Sequence, residues 1–342
     1  MEIQQKEKQT KFARLKDAIY ADILDGVYQP GSFLPTEENL GTRFNASRVT
    51  IRKALAELKD ENVLSSIQGQ GTRVTLGTNV TKNNFDMVAV LAPTQDPFFQ
   101  SFYSAFDDCV EKAGGLVVLR PDRNQQISSP DFYMQLLKRG IRNIVLWPAH
   151  GFDDLELLEK LRIVGINLVF FDHVVDSAYA DCVSLDNAHA MKTLCTWIEK
   201  QQFKKVAYLG WNDVPLSSTE ERLNAFIKYE CFEHSLFEVS KNRDLDKQLE
   251  TLLAANFAND FDLLFCANGD MAISAAKAMQ KSNIQLQIVC IDEFVRDYFP
   301  DIVAYGHPVK KLAKKVFDCL YDQNSKETWQ SATYNIKGKL HE

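Results

Sequence analysis

LPTEENLGTRFNASRVTIRKALAELKDENVLSSIQGQGTRVT, residues 34–75, announces its own elements. Thr36 stands before Glu37 and Glu38, so its hydroxyl can accept from free backbone N–H groups while the carboxylates favour the positive helix end. Leu40 and Phe44 share one side of that short helix, and Asn45 and Ala46 make a turn. Ser47 then caps a second helix. Ile51, Leu55 and Leu58 form its buried stripe at i, i+4, i+7 spacing, which leaves Arg48, Thr50, Arg52 and Lys53 on or beside the exposed first turns. Val63 to Ile67 and Thr72 to Thr75 alternate as two strands around Gln68-Gly69-Gln70-Gly71. The expectation is a winged helix-turn-helix. Ser47, Arg48, Thr50, Arg52 and Lys53 would enter the major groove, where guanidinium forks suit guanine edges and phosphates; Gln68, Gly69 and Arg73 would bring the wing to the minor groove or backbone.

A chain of 342 residues, 45% of them hydrophobic, is too long for one ordinary core and implies two or three domains. The polar start MEIQQKEKQT has no apolar segment of a secretion signal, and no run of eighteen or more apolar residues occurs. A cytoplasmic location without membrane contact is expected. The net charge of −7 is unevenly divided: residues 1–77 carry 11 Lys and Arg against 10 Asp and Glu, so the remainder carries −8. A near-neutral head must gain DNA affinity from local placement of a few cations, and an acidic body repels nonspecific phosphate. The cysteines are odd in number and scattered, and no Cys-x-x-Cys or His-Glu-x-x-His spacing exists. They read as reduced packing residues, with no metal and no cofactor expected.

Residues 1–10 read as a disordered tail, 11–75 as the DNA-binding domain, with Phe12, Leu15, Ile19 and Ile23 striping its first helix, and 76–84, LGTNVTKNN, as a linker. From 85 to 342 the pattern alternates. MVAVLAP, GLVVLR, NIVLWP, NLVFFD, KVAYLG, LLFCAN and QIVCID are short apolar runs separated by helical stretches, the mark of parallel strands buried on both faces of an α/β fold. Ligands in such folds sit beyond the C-terminal strand ends. Asp96, Phe98, Trp147, Asp172, His173, Asn268 and Asp292 stand there, and Arg222 lies slightly inside its helix. Carboxylates, amides, a guanidinium and aromatic rings suit a polyhydroxylated ligand, the first three holding hydroxyls and the rings packing on an apolar sugar face.

Two resemblances rest on these residues. Gln29-Pro30-Gly31, Leu34-Pro35-Thr36-Glu37, Ser47-Arg48-x-Thr50-Ile51-Arg52-x-Ala54-Leu55 and Gly69-x-Gly71-Thr72 resemble the DNA-binding head of GntR-type transcription regulators. Glu38 departs from that pattern, where arginine is frequent. Asp96-Pro97-Phe98-Phe99, Asp186-Asn187, Glu221-Arg222-x-x-x-Phe226, Ala267-Asn268-x-Asp270-Met271-Ala272, Ile291-Asp292-Glu293 and Tyr305-Gly306-His307-Pro308 resemble the effector domain of LacI-type regulators, itself similar to periplasmic sugar-binding proteins. Gly269 is the departure there, where an acidic residue commonly follows the asparagine. The resemblance implies two Rossmann-like lobes joined by three crossovers, with positions Asp172, Arg222, Asn268 and Asp292 contacting a sugar. The combination is similar to the arabinose-repressor group.

Blander roles compete at single positions. Asp and Asn after strands often cap the next helix, which is the better reading for Asp186 and Asp270, whereas Arg222 and Asn268 are favoured as ligand contacts. Phe98 and Phe99 cannot both face a cleft. His173 beside Asp172 has no nucleophile motif near it, and neither Gly-x-Ser-x-Gly nor a P-loop occurs, so an enzyme is disfavoured. The reading is a homodimeric regulator that binds an imperfect palindromic operator and is released by a monosaccharide. A nucleoside or phosphosugar effector, or action as an activator, is the alternative.

Overall fold

The computed structural model describes residues 11–76, 85–94, 97–121, 126–148, 152–214, 216–256, 261–326 and 328–342. The expected N-terminal tail and most of the expected linker lie outside these residues. In the head, α1 (Lys11–Leu24), α2 (Glu37–Phe44) and α3 (Arg48–Asp60) precede the hairpin of β1 (Leu64–Ile67) and β2 (Gly71–Val74). Each boundary has a local cause. The Thr36 hydroxyl accepts the Asn39 N–H at 3.3 Å and the Ser47 hydroxyl accepts the Thr50 N–H at 3.2 Å. Asn45 ends α2 in the left-handed region at φ 47°, from which its N–H returns to the Gly41 and Thr42 carbonyls. Ile51, Ala54, Leu55 and Leu58 of α3 are buried with Ile19 and Ile23 of α1 and Leu40 of α2. The strands pair antiparallel with Leu64 opposite Val74 and Ile67 opposite Gly71. Leu76, at the expected start of the linker, is buried and donates to the Val63 carbonyl at 3.0 Å, so it belongs to the head core.

The body begins with β3 (Met87–Ala92), α4 (Pro97–Lys112), β4 (Leu116–Pro121), α5 (Pro130–Lys138), β5 (Asn143–Leu146), α6 (Leu155–Ile163), β6 (Asn167–Phe171) and β7 (Asp181–Leu185). It continues through α7 (Asn187–Lys200), β8 (Lys205–Trp211), α8 (Ser217–Phe226), β9 (Glu233–Val239), α9 (Leu245–Asn256), β10 (Leu263–Cys266), α10 (Gly269–Ser282), β11 (Gln287–Ile291) and β12 (Val303–Gly306). It closes with α11 (Val309–Ser325), β13 (Thr333–Ile336) and β14 (Lys339–His341). Two sheets result, in the orders β13-β7-β6-β5-β3-β4 and β14-β12-β11-β10-β8-β9. All neighbours are parallel except β12 and β14. Six of the seven apolar runs are buried inner strands that need cover on both faces, and the seventh, GLVVLR, is the partly exposed edge strand β4. The apolar stripe of α11 faces the core, and Gln323 ties it to the first sheet by bonds to the Leu168 backbone at 3.0 and 2.8 Å and to Asp181 at 2.7 Å.

The chain passes between lobes after β7, after β12 and after β13, giving three crossings. They lie against each other. The Asp186 N–H donates to the Ile336 carbonyl at 3.0 Å, and a side chain on Gly338 would meet the Gly306 carbonyl at 2.0 Å, so only glycine lets the second and third crossings approach this closely.

Strands β7, β9, β12, β13 and β14 were not among the apolar runs. β9 is an edge strand with most of its side chains exposed, β13 alternates between exposed and half-buried, and β7 and β12 mix polar or glycine residues into short segments. Hydrophobic periodicity is weak in such strands because the neighbouring sheet, not a continuous apolar run, holds them. All seven cysteines are free, five of them buried.

Candidate functional site

Because the strands of both lobes are parallel, their C-terminal ends deliver side chains to one interlobe cleft. Phe98 enters from the first turn of α4, Trp147 follows β5, Asp172 follows β6 and Trp211 ends β8. Arg222 comes from α8, Asn268 from the end of β10, Asp292 from the end of β11 and His307 from the second crossing. They enclose a cavity of about 90 Å³. A second cavity of about 350 Å³ shares Phe98, Asp292 and His307 and continues toward Glu293, Arg296 and His341.

Arg222, Asp292 and His307 are held in place by hydrogen bonds. Buried Arg222 donates from Nε to Asn187 Oδ1 at 2.9 Å and from Nη1 to the Ala267 carbonyl at 3.0 Å, and Asn187 donates in turn to Glu221 at 2.8 Å. Asp292 accepts the Gly269 N–H on Oδ2 at 2.9 Å, while its Oδ1 lies 3.1 Å from His307 Nδ1. Asp172 and Asp292 both adopt positive φ, 54° and 93°. Such backbone costs on the order of 1–3 kcal/mol per residue, and it persists where the surroundings fix it. The Cβ that residue 269 lacks would come within 2.6 Å of the Phe294 ring, which is why glycine follows Asn268 here.

The two carboxylates differ electrostatically. Burial pushes Asp172 up from the usual carboxylate range, and the nearby Arg222 and His307 charges only partly oppose it. Burial also works to raise Asp292, but the hydrogen bond and charge of His307, the charge of Arg222 and the Gly269 N–H outweigh it and hold that carboxyl below its ordinary value. Burial thus disfavours ionisation of Asp172, whereas the partners of Asp292 favour its charged form.

The ring question is settled by packing. Phe98 lines the cleft, edge-on to Trp147 at 5.5 Å and 4.2 Å from the His307 ring, while Phe99 is buried against Tyr103 and Trp147. His173 is not on the cleft wall. It is buried beside Phe170 at 6.2 Å, burial lowers its pKa, and its Nδ1 has no hydrogen-bond partner among the described residues. Asp96 lies outside the described residues. Asn268 both lines the cleft and caps α10, its Oδ1 accepting the Met271 N–H at 3.1 Å, so the amide NH₂ is what it can offer a ligand. Asp270, read as a cap, stands instead in the first turn of α10, whereas Asp186 does cap α7.

Trp211, Ser218, Thr219, Lys241 and His307 also line the cleft and were not selected from sequence. Trp211 and His307 do follow strands, so the strand-end rule reaches them. Lys241 follows β9, which gave no periodic signal; Asp213 fixes its loop by accepting from the Ser240 hydroxyl at 2.5 Å and the Lys241 N–H at 2.8 Å.

On the head, Arg48 and Arg52 stand exposed on α3, Arg52 Nε donating to Glu37 at 2.7 Å and Arg48 lying 3.5 Å from Glu38. Thr50 is hydrogen-bonded to Ser47, which is occupied as the cap. Lys53 lies over the Phe12 ring of α1 at 4.1 Å, and Arg73 Nε donates to the Gly31 carbonyl at 2.9 Å. Gln68 and Gly69 are exposed at the hairpin tip, Gly69 at φ 75°. Exposed Val49, 77% accessible, joins the same surface. Among the described residues no group of three or more His, Cys, Asp or Glu could hold a metal ion, and no helix is long and apolar enough to cross a membrane.

Comparison with known proteins places both parts. Residues 11–74 match the bacterial regulatory proteins of the gntR family, and residues 87–335 match the periplasmic binding protein domain. The head is 46% identical over 66 residues to the "Probable fructoselysine utilization operon transcriptional repressor" of Escherichia coli (strain K12), 19% of this chain and 27% of that protein. The chain thus spans about a quarter of that relative's length. It is 22% identical over 222 residues to the arabinose metabolism transcriptional repressor of Geobacillus stearothermophilus, 64% of this chain and 60% of that one. The body shares its fold with the trehalose repressor from Escherichia coli, with a TM-score of 0.64 at 17% identity, covering 75% of this chain and 100% of that chain.

Proposed function

This chain belongs to the periplasmic binding protein domain family and carries a gntR-family head, and on that premise we propose that it is a DNA-binding transcriptional repressor released from its operator by a monosaccharide. The observation that carries the reading is the cleft: two carboxylates, a guanidinium clamped by Asn187 and Ala267, an amide and aromatic walls converge between the lobes. A water needs about 10–15 Å³ of such volume, so the cavity of about 90 Å³ holds a molecule of roughly monosaccharide size. Relatives of the head and of the longer match are repressors, one of them of arabinose metabolism.

The effector is neutral in this reading, because Arg222 and Lys241 face Asp172 and Asp292 with no surplus of cations. Lys241 supports a second reading. A cation at the wall gives an anionic substituent a partner, so a phosphosugar is the competing ligand.

Operator binding falls to a homodimer on an imperfect palindrome, since one near-neutral head offers few phosphate contacts and two-fold symmetry doubles them. Thermal shift against neutral monosaccharides, nucleosides and phosphosugars identifies the class, a ligand at a hundred times its Kd adding about 2.7 kcal/mol of stability. Sugar affinity is then measured with and without saturating operator DNA. Linkage requires that a hundredfold loss of DNA affinity on sugar binding be matched by the same loss of sugar affinity on DNA binding. Equal sugar affinities in the two conditions would refute release by this cleft.

A further inference from the structure

The head and the first lobe share one apolar cluster, and ion pairs flank the seam between them. Glu61 caps the C-terminal end of α3, accepts from the Tyr20 hydroxyl at 2.6 Å and from Lys16 at 2.8 Å, and lies 3.4 Å from Lys138 at the end of α5. The Lys138 ammonium also stands 4.4 Å from the Tyr20 ring centroid. At the other end of the seam Lys160 of α6 pairs with Asp25, just past α1, at 2.8 Å. Glu61 is held below the ordinary carboxylate range: burial works against this, and the bonds to Lys16 and Tyr20 with the charge of Lys138 prevail. A cavity of about 340 Å³ remains in the seam, lined by Glu61, Asn62 and Leu76 of the head and by Lys138, Arg142 and Asn324 of the lobe. Ion pairs beside a cavity make this joint more sensitive to charge and salt than a close-packed core is.

The two lysines stand on elements that lead to the cleft. Helix α5 runs into β5, which Trp147 follows; helix α6 runs into β6, which Asp172 follows. Arg48 and Arg52 keep exposed side chains while the head is docked.

We propose that Lys138 and Lys160 form a docking surface for the head of their own chain, with Glu61 and Asp25 as its acidic partners, so that head and first lobe turn as one body. The relay part, which rests on the proposed function, is that ligand closure of the lobes reorients the head through this seam.

The test uses the full chain with the single variants Asp25→Lys, Lys160→Glu and Lys138→Glu and the reversed pair Asp25→Lys with Lys160→Glu. Amide hydrogen exchange is followed in the last turn of α1 and along α6. The singles should raise exchange there about fivefold, the upper end for a partly exposed pair; the reversed pair should restore it, and 1 M salt should mimic the singles. Wild-type exchange in all three singles would overturn the docking surface, as would failure of the reversed pair to recover while its thermal unfolding stays normal. The same proteins are then assayed for operator release by sugar. Loosened singles that still release fully would overturn the relay. If even the wild-type chain binds no operator, the proposed function fails, and the exchange data still decide the docking.

Discussion

His307 Nδ1 lies 3.1 Å from Asp292 Oδ1, which fastens the second lobe crossing to the floor of the cleft. Asp292 also accepts the Gly269 N–H at the start of α10. One carboxylate therefore joins the crossing, a helix N-terminus and the ligand space. Its folded-state pKa lies below the ordinary 3.8, so the stability it contributes is present above about pH 4 and is lost as pH falls through the lower folded value. Acid melting curves should show wild type losing stability more steeply below pH 4 than Asp292→Asn. Parallel curves would remove the carboxylate from this role.

Asp172 should behave in the opposite sense. Burial raises its pKa in the folded chain above the ordinary 3.8, so ionisation costs stability, a cost that sets in as pH rises above the ordinary value and is complete above the folded one. Asp172→Asn removes that cost, and asparagine tolerates the left-handed backbone at this position. The ligand-free variant should melt above wild type at neutral pH and below it by little or nothing at pH 3, while binding ligand less well. A lower melting temperature at neutral pH would count against the assignment.

Arg222→Ala and Asn268→Ala should each weaken ligand binding by about 1–3 kcal/mol, roughly 5 to 150-fold, because ligand hydroxyls would face an unpaired closed cleft. Arg222→Ala should also lower stability, since Asn187 and the buried Ala267 carbonyl lose a partner. Asn268→Ala additionally removes the cap of α10, a loss of about 1 kcal/mol. Calorimetry with the identified ligand separates the effects. Wild-type affinity in both variants would refute the site.

Arg52→Ala should weaken operator binding by about 1–3 kcal/mol if the guanidinium makes a bidentate base contact. In the free protein Arg52 is held by Glu37, so Glu37→Gln should shift affinity the other way, by less than about 1 kcal/mol, as an exposed pair allows. Gel-shift titration at fixed salt measures both. Unchanged affinity for Arg48→Ala and Arg52→Ala alike would dismiss α3 as the reading helix.

The head was legible because its signals are local. The hydroxyl caps at Thr36 and Ser47, the left-handed Asn45 and the Gly69 turn each act within a few residues, and so they stand in the sequence much as in the fold. The cleft was half legible. Strand-end reading selected Trp147, Asp172 and Asp292 but left out Trp211 and His307, which the same rule covers, and it took Asp270 for the cap that Asn268 makes. Lys241 was out of reach because β9 is an exposed edge strand whose place comes from pairing with β8.

The sequence by itself determined the winged head and the alternating α/β body, because caps, turns and apolar runs act over short stretches of chain. Only the tertiary structure decided that Phe98 and not Phe99 faces the cleft, that His173 is buried away from it, and that Lys138 and Lys160 meet the head. Periodicity tells which side chains leave water. What they then touch depends on chain segments far apart in sequence, brought together by the three crossings and by the sheets they connect.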